Sequence, residues 1–256
     1  EESVPFLISE KLNDGELNIA EREEDRFENP PYSEQKFPLI EHMERAVKSA
    51  LRYGQNGLLL IGSGDWNDAI NDAGDDTRGE SVWLSMFCCM VLEKMSAHYG
   101  GESKKSLLDE REKLAAAIEK CFASDRYKRL LTNNGEWMGE AGAAIEIDLL
   151  TQAFSSLCGV CAKDRVNRAL DTAWRELVDC QREIVRLLKP PVEKGLGYIS
   201  SYPKGVRENG GQYTHAAVWF ALALLNENRA DEAFEILMML NPAEKFLNDK
   251  IYAAYK

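Results

Sequence analysis

The sequence contains no apolar run long enough to cross a bilayer; the longest stretches, such as residues 216–225, fall far short. It has no charged-then-apolar leader and no initiating Met, since it opens Glu1-Glu2-Ser3, as expected of a processed product or a piece of something longer. Positive charge is also scarce. Against 43 Asp and Glu stand 31 Lys and Arg, and the formal net charge of −12 argues against nucleic acid or anionic membrane as partner. A phosphate ligand stays open, because a local Arg and His pocket overrules the global field. There are three His, and Cys158-Gly-Val-Cys161 has neither a second CxxC nor a nearby His to complete a zinc site, so no metal is expected. The six cysteines sit in apolar, helical-looking surroundings. They read as buried free thiols in a reducing cytosol, and the expected localisation is cytoplasmic.

The 256 residues are 45% hydrophobic and 29% charged, enough for one large domain or two small ones. From Pro38 the pattern is helical: Ile40, Met43, Val47 and Leu51 recur at three and four, and Gly54 is placed to stop the helix. Residues 80–99 are too hydrophobic all round for a surface helix and should be buried. Helical spacing returns over 104–122, 145–158, 163–188, 214–226 and 230–240, with Asn241-Pro242 ending the last. Strand alternation is rare, residues 127–131 being the best candidate. The stretch from Pro190-Pro191 to Gly211 reads as a Gly-, Tyr- and Ser-rich loop. These signals predict an all-α architecture of helical hairpins with chemistry in the loops at one end. Residues 1–37, highly charged and carrying Pro30-Pro31, are expected to form an extended arm, and residues 38–256 the helical domain.

Three polar clusters stand at junctions between loop and helix. The first, Gly62-Ser63-Gly64-Asp65-Trp66-Asn67-Asp68, packs two carboxylates, an amide and an indole directly after an apolar run. A Trp stacks on the apolar face of a pyranose and a carboxylic acid protonates a glycosidic oxygen, so the cluster suits sugar cleavage. An Asx-rich turn anchored by its Trp is the alternative. The second cluster is Arg78-Gly79-Glu80-Ser81, which puts a polar residue where a helix cap belongs. The third is Arg207-Glu208-Asn209-Gly210-Gly211-Gln212-Tyr213-Thr214-His215, directly before a helix. A helix N-terminus favours anions, and Arg, Thr and His beside it would make a phosphate pocket. Equally, Thr214 reads as a helix cap and His215 as a core residue.

Gly62-Ser-Gly-Asp-Trp-Asn-Asp68, Arg78-Gly-Glu-Ser-Val-Trp83 and Arg207-Glu-Asn-Gly-Gly-Gln-Tyr-Thr-His-Ala216, in this order and spacing, resemble glycoside hydrolase family 94. That family includes cellobiose and chitobiose phosphorylases, β-1,2-oligoglucan phosphorylases and the C-terminal module of cyclic β-1,2-glucan synthases. Glu146-Ile-Asp148, ahead of Gln152, and Leu240-Asn-Pro242 also look like family landmarks. The resemblance runs from about residue 38 to the end. It implies part of an (α/α)6 six-hairpin barrel that cleaves a β-glucoside with inorganic phosphate, inverts the anomeric centre and gives α-glucose 1-phosphate. Phosphate is then a co-substrate and no cofactor is needed. Asp68 matches the family's general acid, with Trp66 lining the sugar site and Asp65 supporting it. Asn67, Arg78, Glu80, Arg207, Glu208, Asn209, Gln212 and Tyr213 are the further substrate-binding candidates, and His215 and Thr214 those for phosphate. A hydrolase needs a second carboxylate to activate water, whereas phosphate is itself the nucleophile. Burial and the like charge of Asp65 are expected to raise the pKa of Asp68.

The chain departs from many relatives in having Ala69-Ile70, rather than Gly-Met, after the acid. It also holds too few helices for a whole barrel, and reads as a fragment expected to form a homodimer or to associate with the missing barrel half. The implied substrate is a β-1,2- or β-1,4-linked glucan or gluco-oligosaccharide. Alternatives are a chain-length-controlling module of a cyclic β-1,2-glucan synthase and a noncatalytic carbohydrate-binding remnant.

Overall fold

The computed structural model describes residues 3–7, 31–75 and 77–243. The expected N-terminal arm lies mostly outside them, as does the stretch 244–256. The chain divides into two compact units, Glu1–Arg52 and Tyr53–Lys256. In the first, strand Ser3–Leu7 pairs antiparallel with Tyr32–Pro38, setting Val4 opposite Phe37, and helix α1 follows over Leu39–Ala50. The Phe6 ring stacks 3.7 Å from His42 and lies 4.4 Å beneath the Arg45 guanidinium. Of the helix's apolar stripe, Ile40 and Val47 are half-buried and Met43 is exposed.

The second unit holds helices α2 (Val82–Ser96), α3 (Gly101–Glu119), α4 (Leu149–Leu157), α5 (Lys163–Leu177), α6 (Thr214–Asn226) and α7 (Ala230–Leu240). Helix α2 packs on α3 and α4, and α4 packs on α5 and α6. As its composition demands, α2 buries Val82, Trp83, Met86, Cys88, Cys89, Leu92 and Met95, on more than one face. Trp83 stacks 5.4 Å from Phe87 and meets the edge of Phe154 at the same separation, while Phe154 lies 5.3 Å from Trp219 of α6. Each buried ring of this kind contributes about 1.5–3 kcal/mol relative to exposure.

Helices α6 and α7 begin and end where the sequence pattern places them. Elsewhere the structure corrects it. The segment 163–188 is not one helix: α5 stops at Leu177, and Val178–Asp179 pairs with Ile184–Val185 in a hairpin. The Asp179 carboxylate accepts from Arg182 N at 3.1 Å and Glu183 adopts φ +54°, so the side chain supplies a turn that ends the helix. Likewise α4 starts at Leu149, not at 145, because Asp148 is its N-cap, accepting from Thr151 N at 2.9 Å.

Nor is the chain purely helical. A four-stranded antiparallel sheet orders Leu59–Leu60, Glu80–Ser81, Leu130–Leu131 and Trp137–Met138, and Ile147–Asp148 pairs with Leu188–Lys189. Two-residue strands are too short to show alternation in sequence. Their role is positional. The first strand delivers the 62–68 loop, the second opens α2 through the Ser81 cap, and Arg129 directly precedes the third. Beneath the loops, Ile61, Ile70, Leu130, Met138, Leu188, Val192 and Ile199 form a separate apolar core. All six cysteines are free, but Cys161 is only half-buried and Cys180 is exposed, contrary to expectation. No helix among the described residues is long and apolar enough to cross a membrane.

Candidate functional site

The 62–68 loop leaves the sheet in a turn at which Gly64 takes φ +121°, closing against the backbone of Asp68. Asp65 points inward, its side chain 0% exposed. It accepts from both ends of the Arg129 fork, at 2.6 and 2.7 Å, and from Ser81 Oγ at 2.6 Å. Arg129 Nε also lies 3.5 Å from Asp148. Burial alone would weaken the guanidinium's hold on its proton, but the two carboxylates outweigh it and keep Arg129 more firmly charged than free arginine. Burial pushes the Asp148 carboxyl up, against Arg129 and the Thr151 hydrogen bonds. This buried cluster fixes the loop's root, and sequence reasoning missed its centre. Arg129 lies inside the strand candidate 127–131 beside a second basic residue, Lys128, and nothing local in the sequence marks it out from that neighbour.

From that root the other loop residues divide. Asn67 turns back to cap the short helix Asp68–Ile70, accepting from Ala69 N at 3.2 Å, and is buried. Asp68 faces solvent. Neither the burial nor the unbalanced like charge expected beside it is present, because Arg129 pairs with Asp65. What does stand beside Asp68 is Tyr198, whose hydroxyl is pushed up to about 12, by burial and then by the Asp68 carboxylate. Tyr198 reaches it because Asn71 Oδ1 accepts from Tyr198 N at 3.1 Å and Asp72 N donates to Leu196 O at 3.4 Å. Tyr198 is a second residue that the sequence did not single out.

Trp66 connects the first loop to the third. Its Nε1 donates to His215 Nδ1 at 3.1 Å, and its ring meets Tyr213 edge-on at 5.2 Å. With Nδ1 accepting from Trp66, the other ring nitrogen, Nε2, is the one that carries a proton to donate. His215 and Thr214 are exposed on the first turn of α6. The N-cap is Tyr213, not Thr214, and among the described residues no side chain caps the helix, which leaves its first-turn N–H groups open to an anion.

Other residues of this cluster hold the loop itself. Asn209 is buried; its Oδ1 accepts from Val192 N at 2.6 Å and its Nδ2 donates to Val192 O and Tyr202 O at 3.0 Å. Gln212 Oε1 accepts from Val185 N at 3.1 Å. Arg207 lies 4.7 Å over the Tyr202 ring and 3.4 Å from Glu208 Oε2. Glu208 is 4% exposed, and its Oε2 has no hydrogen-bond partner among the described residues. Burial and then Glu208 hold the Tyr213 hydroxyl above its usual value, and Asp68 adds to this at longer range. Asp68, Tyr198, Trp66, Tyr213, Glu208 and His215 therefore gather in one place.

Arg78 and Glu80 are not brought there. Glu80 is buried and ties down the 54–58 turn, accepting from Asn56 N, Asn56 Nδ2 and Leu58 N. Arg78 pairs with Asp75 at 3.7 Å, and Arg78 and Glu80 line a separate cavity of about 110 Å³ with Asn56, Leu131 and Thr132. Among the described residues no cluster of His, Cys, Asp and Glu is arranged to hold a metal ion.

Known proteins supply the context. The family described as glycosyl hydrolase 94 superfamily, catalytic domain, matches residues 5–255. The cyclic beta-(1,2)-glucan synthase NdvB of Rhizobium meliloti (strain 1021) is 39% identical over 96% of this chain and 9% of its own length. The 3-O-beta-D-glucopyranosyl-beta-D-glucuronide phosphorylase of Paenibacillus borealis is 29% identical over 74% of this chain and 25% of its own. The N,N'-diacetylchitobiose phosphorylase of Vibrio furnissii is 24% identical over 93% of this chain and 30% of its own. The chain thus spans less than a third of the length of each. On this match it belongs to the glycosyl hydrolase 94 superfamily, through the catalytic domain.

Proposed function

We propose that the chain carries the acid and the anion-binding end of a site that transfers a β-linked glucosyl unit from a glucan or gluco-oligosaccharide to inorganic phosphate. Asp68, as general acid, delivers a proton to the glycosidic oxygen; phosphate held at the N-terminus of α6 attacks C1 from the opposite face. The C1–O bond breaks with inversion, and α-glucose 1-phosphate leaves. His215 Nε2, Thr214 and the open N–H groups of α6 hold the phosphate. Trp66 and Tyr213 supply the apolar wall for the sugar, and Glu208 Oε2, beside Arg207, accepts from a sugar hydroxyl. Asp65, Asn67, Asn209 and Gln212 act through the loops that they hold. The helices form part of an (α/α)6 barrel, completed by sequence that the chain does not span or by a partner.

The observation that carries this reading is the Trp66–His215 hydrogen bond, which joins the loop of the exposed Asp68 to an uncapped helix N-terminus. General-acid assistance contributes about 10²–10⁴ in rate. The test is release of glucose 1-phosphate from β-linked gluco-oligosaccharides in phosphate buffer, using this chain alone and joined to the rest of a family 94 catalytic domain. Product from the joined protein supports the reading; sugar binding without product from either would leave a noncatalytic module.

The 39% identity to a cyclic β-1,2-glucan synthase favours a second reading, in which the same site trims or measures a β-1,2-glucan within a synthase. Its mark would be a marked preference for β-1,2-linked substrates over β-1,4-linked ones in the same assay.

A further inference from the structure

The sulfurs of Cys158 and Cys161 lie 3.7 Å apart in the turn between α4 and α5. Cys158 is the C-cap residue of α4, Ala162 is the N-cap of α5, and Gly159 between them takes φ +67°, which folds the two thiols onto one side. Helix α3 holds this turn from both ends. Arg111 Nη2 donates to Gly159 O at 3.2 Å, and Glu119 Oε1 accepts from Ala162 N at 3.1 Å and from the Tyr127 hydroxyl at 2.8 Å. Cys158 is buried and Cys161 half-buried, so solvent reaches the pair through Cys161.

We propose that Cys158 and Cys161 form a thiol–disulfide exchange site, whose substrates are small-molecule disulfides such as oxidised glutathione. The Cys161 thiol beside it, the N–H groups of Val160 and Cys161, and the Arg111 charge together bring the Cys158 thiol below its ordinary value, against burial. Cys161 is correspondingly held up, by Cys158 first and then by burial. With the sulfurs 3.7 Å apart, a pair that has lost one proton can pass the other between them. The remaining buried thiols differ: burial pushes Cys88 up to about 11, and Cys89 and Cys121 up to about 12. A CxxC turn without zinc partners, left unexplained by the sugar site, thus has its own chemistry.

The exchange balances in two steps. The proton passes to Cys158 as Cys161 Sγ attacks the incoming disulfide, forming a mixed disulfide and expelling one thiolate. Cys158 then gives that proton to the departing thiolate and attacks Cys161 Sγ, expelling the second. One S–S bond is broken in the reagent and one formed in the protein. Two electrons pass from the pair to the reagent, which leaves as two reduced molecules.

The test is to expose the reduced chain to oxidised glutathione near neutral pH, quench by alkylation and analyse tryptic peptides. Residues 130–163 form one peptide that holds both cysteines and no other. The expected result is that this peptide loses both alkylatable thiols and two hydrogens, roughly tenfold or more faster than Cys88, Cys89 or Cys121 react. In the Cys158→Ser variant, glutathione should stay trapped on Cys161, because no second thiol resolves it. Full alkylation of both residues in wild type, or a disulfide to a different cysteine, would overturn the proposal. The wild-type measurement stands even if the variant does not fold.

Discussion

The loop 62–68 and the loop 207–215 meet at the Trp66–His215 hydrogen bond, yet they are held in place by different physics. The first is rooted by charge: a buried guanidinium gripping Asp65 through two hydrogen bonds, with Asp148 at its other edge. The second is rooted by neutral amides, Asn209 and Gln212, which replace missing backbone partners at residues 185, 192 and 202. Charge fixes orientation strictly but exacts desolvation if either partner is lost, whereas amides hold a loop at a lower cost per bond. The loop bearing the candidate acid is accordingly the stricter one, and the loop bearing the candidate anion site the more adaptable.

The sharpest way to break this contrast is Asp65→Asn, which leaves the Arg129 charge buried with only Asp148 at 3.5 Å. The expected loss is about 3–5 kcal/mol, read as a fall in the denaturation midpoint. A loss under 1 kcal/mol would show that the charged root is not what holds the loop. On the amide side, Asn209→Ala removes three hydrogen bonds and strands two Val192 groups and the Tyr202 carbonyl. The expected cost is about 1–3 kcal/mol by the same measurement.

The two carboxylates around Arg129 are themselves unequal. Asp148→Asn keeps an N-cap able to accept from Thr151 N, and relieves a carboxyl that burial already disfavours. Its expected cost is below about 1 kcal/mol, well under that of Asp65→Asn, and equal losses would mean that Arg129 is shared evenly.

The smallest effect belongs to the surface, at Glu110. Hydrogen bonds from Lys113 first and then Tyr53 hold its carboxyl below the usual value. A depressed carboxylate stabilises the fold above its unfolded pKa, about 4.3, and loses that contribution as pH falls through its folded value. The advantage of wild type over Glu110→Gln should therefore be at most about 0.5 kcal/mol at pH 7 and fade below about pH 4. A difference that grows in acid would contradict the sign.

How much of this was legible in the sequence follows the range of each interaction. The helices α6 and α7 were readable because their apolar spacing and their boundary residues are local. The end of α5 was not, since Ile184 and Leu188 continue a helical spacing past the turn that Asp179 imposes. The crowding of Asp, Trp and Asn at 65–68 marked the site, but not which carboxylate faces outward. That is decided by Arg129, 64 residues away from Asp65 in the chain. The same blindness applies to Asn67, Asn209 and Glu80, candidates for substrate whose side chains here bond the backbone around them. Nothing in an amide or carboxylate's identity tells whether it will face a ligand or satisfy a buried backbone N–H.

The central claim is that Asp68 acts while Asp65 only holds, and it is tested by comparing Asp68→Asn with wild type in one preparation of the joined catalytic domain. Glucose 1-phosphate release and the unfolding midpoint would both be measured. The account predicts a loss of about 10²–10⁴ in rate with the midpoint unchanged, because Asp68 is exposed and bears no part of the buried ion cluster. Retained phosphorolysis, or a loss that tracks unfolding, would contradict it.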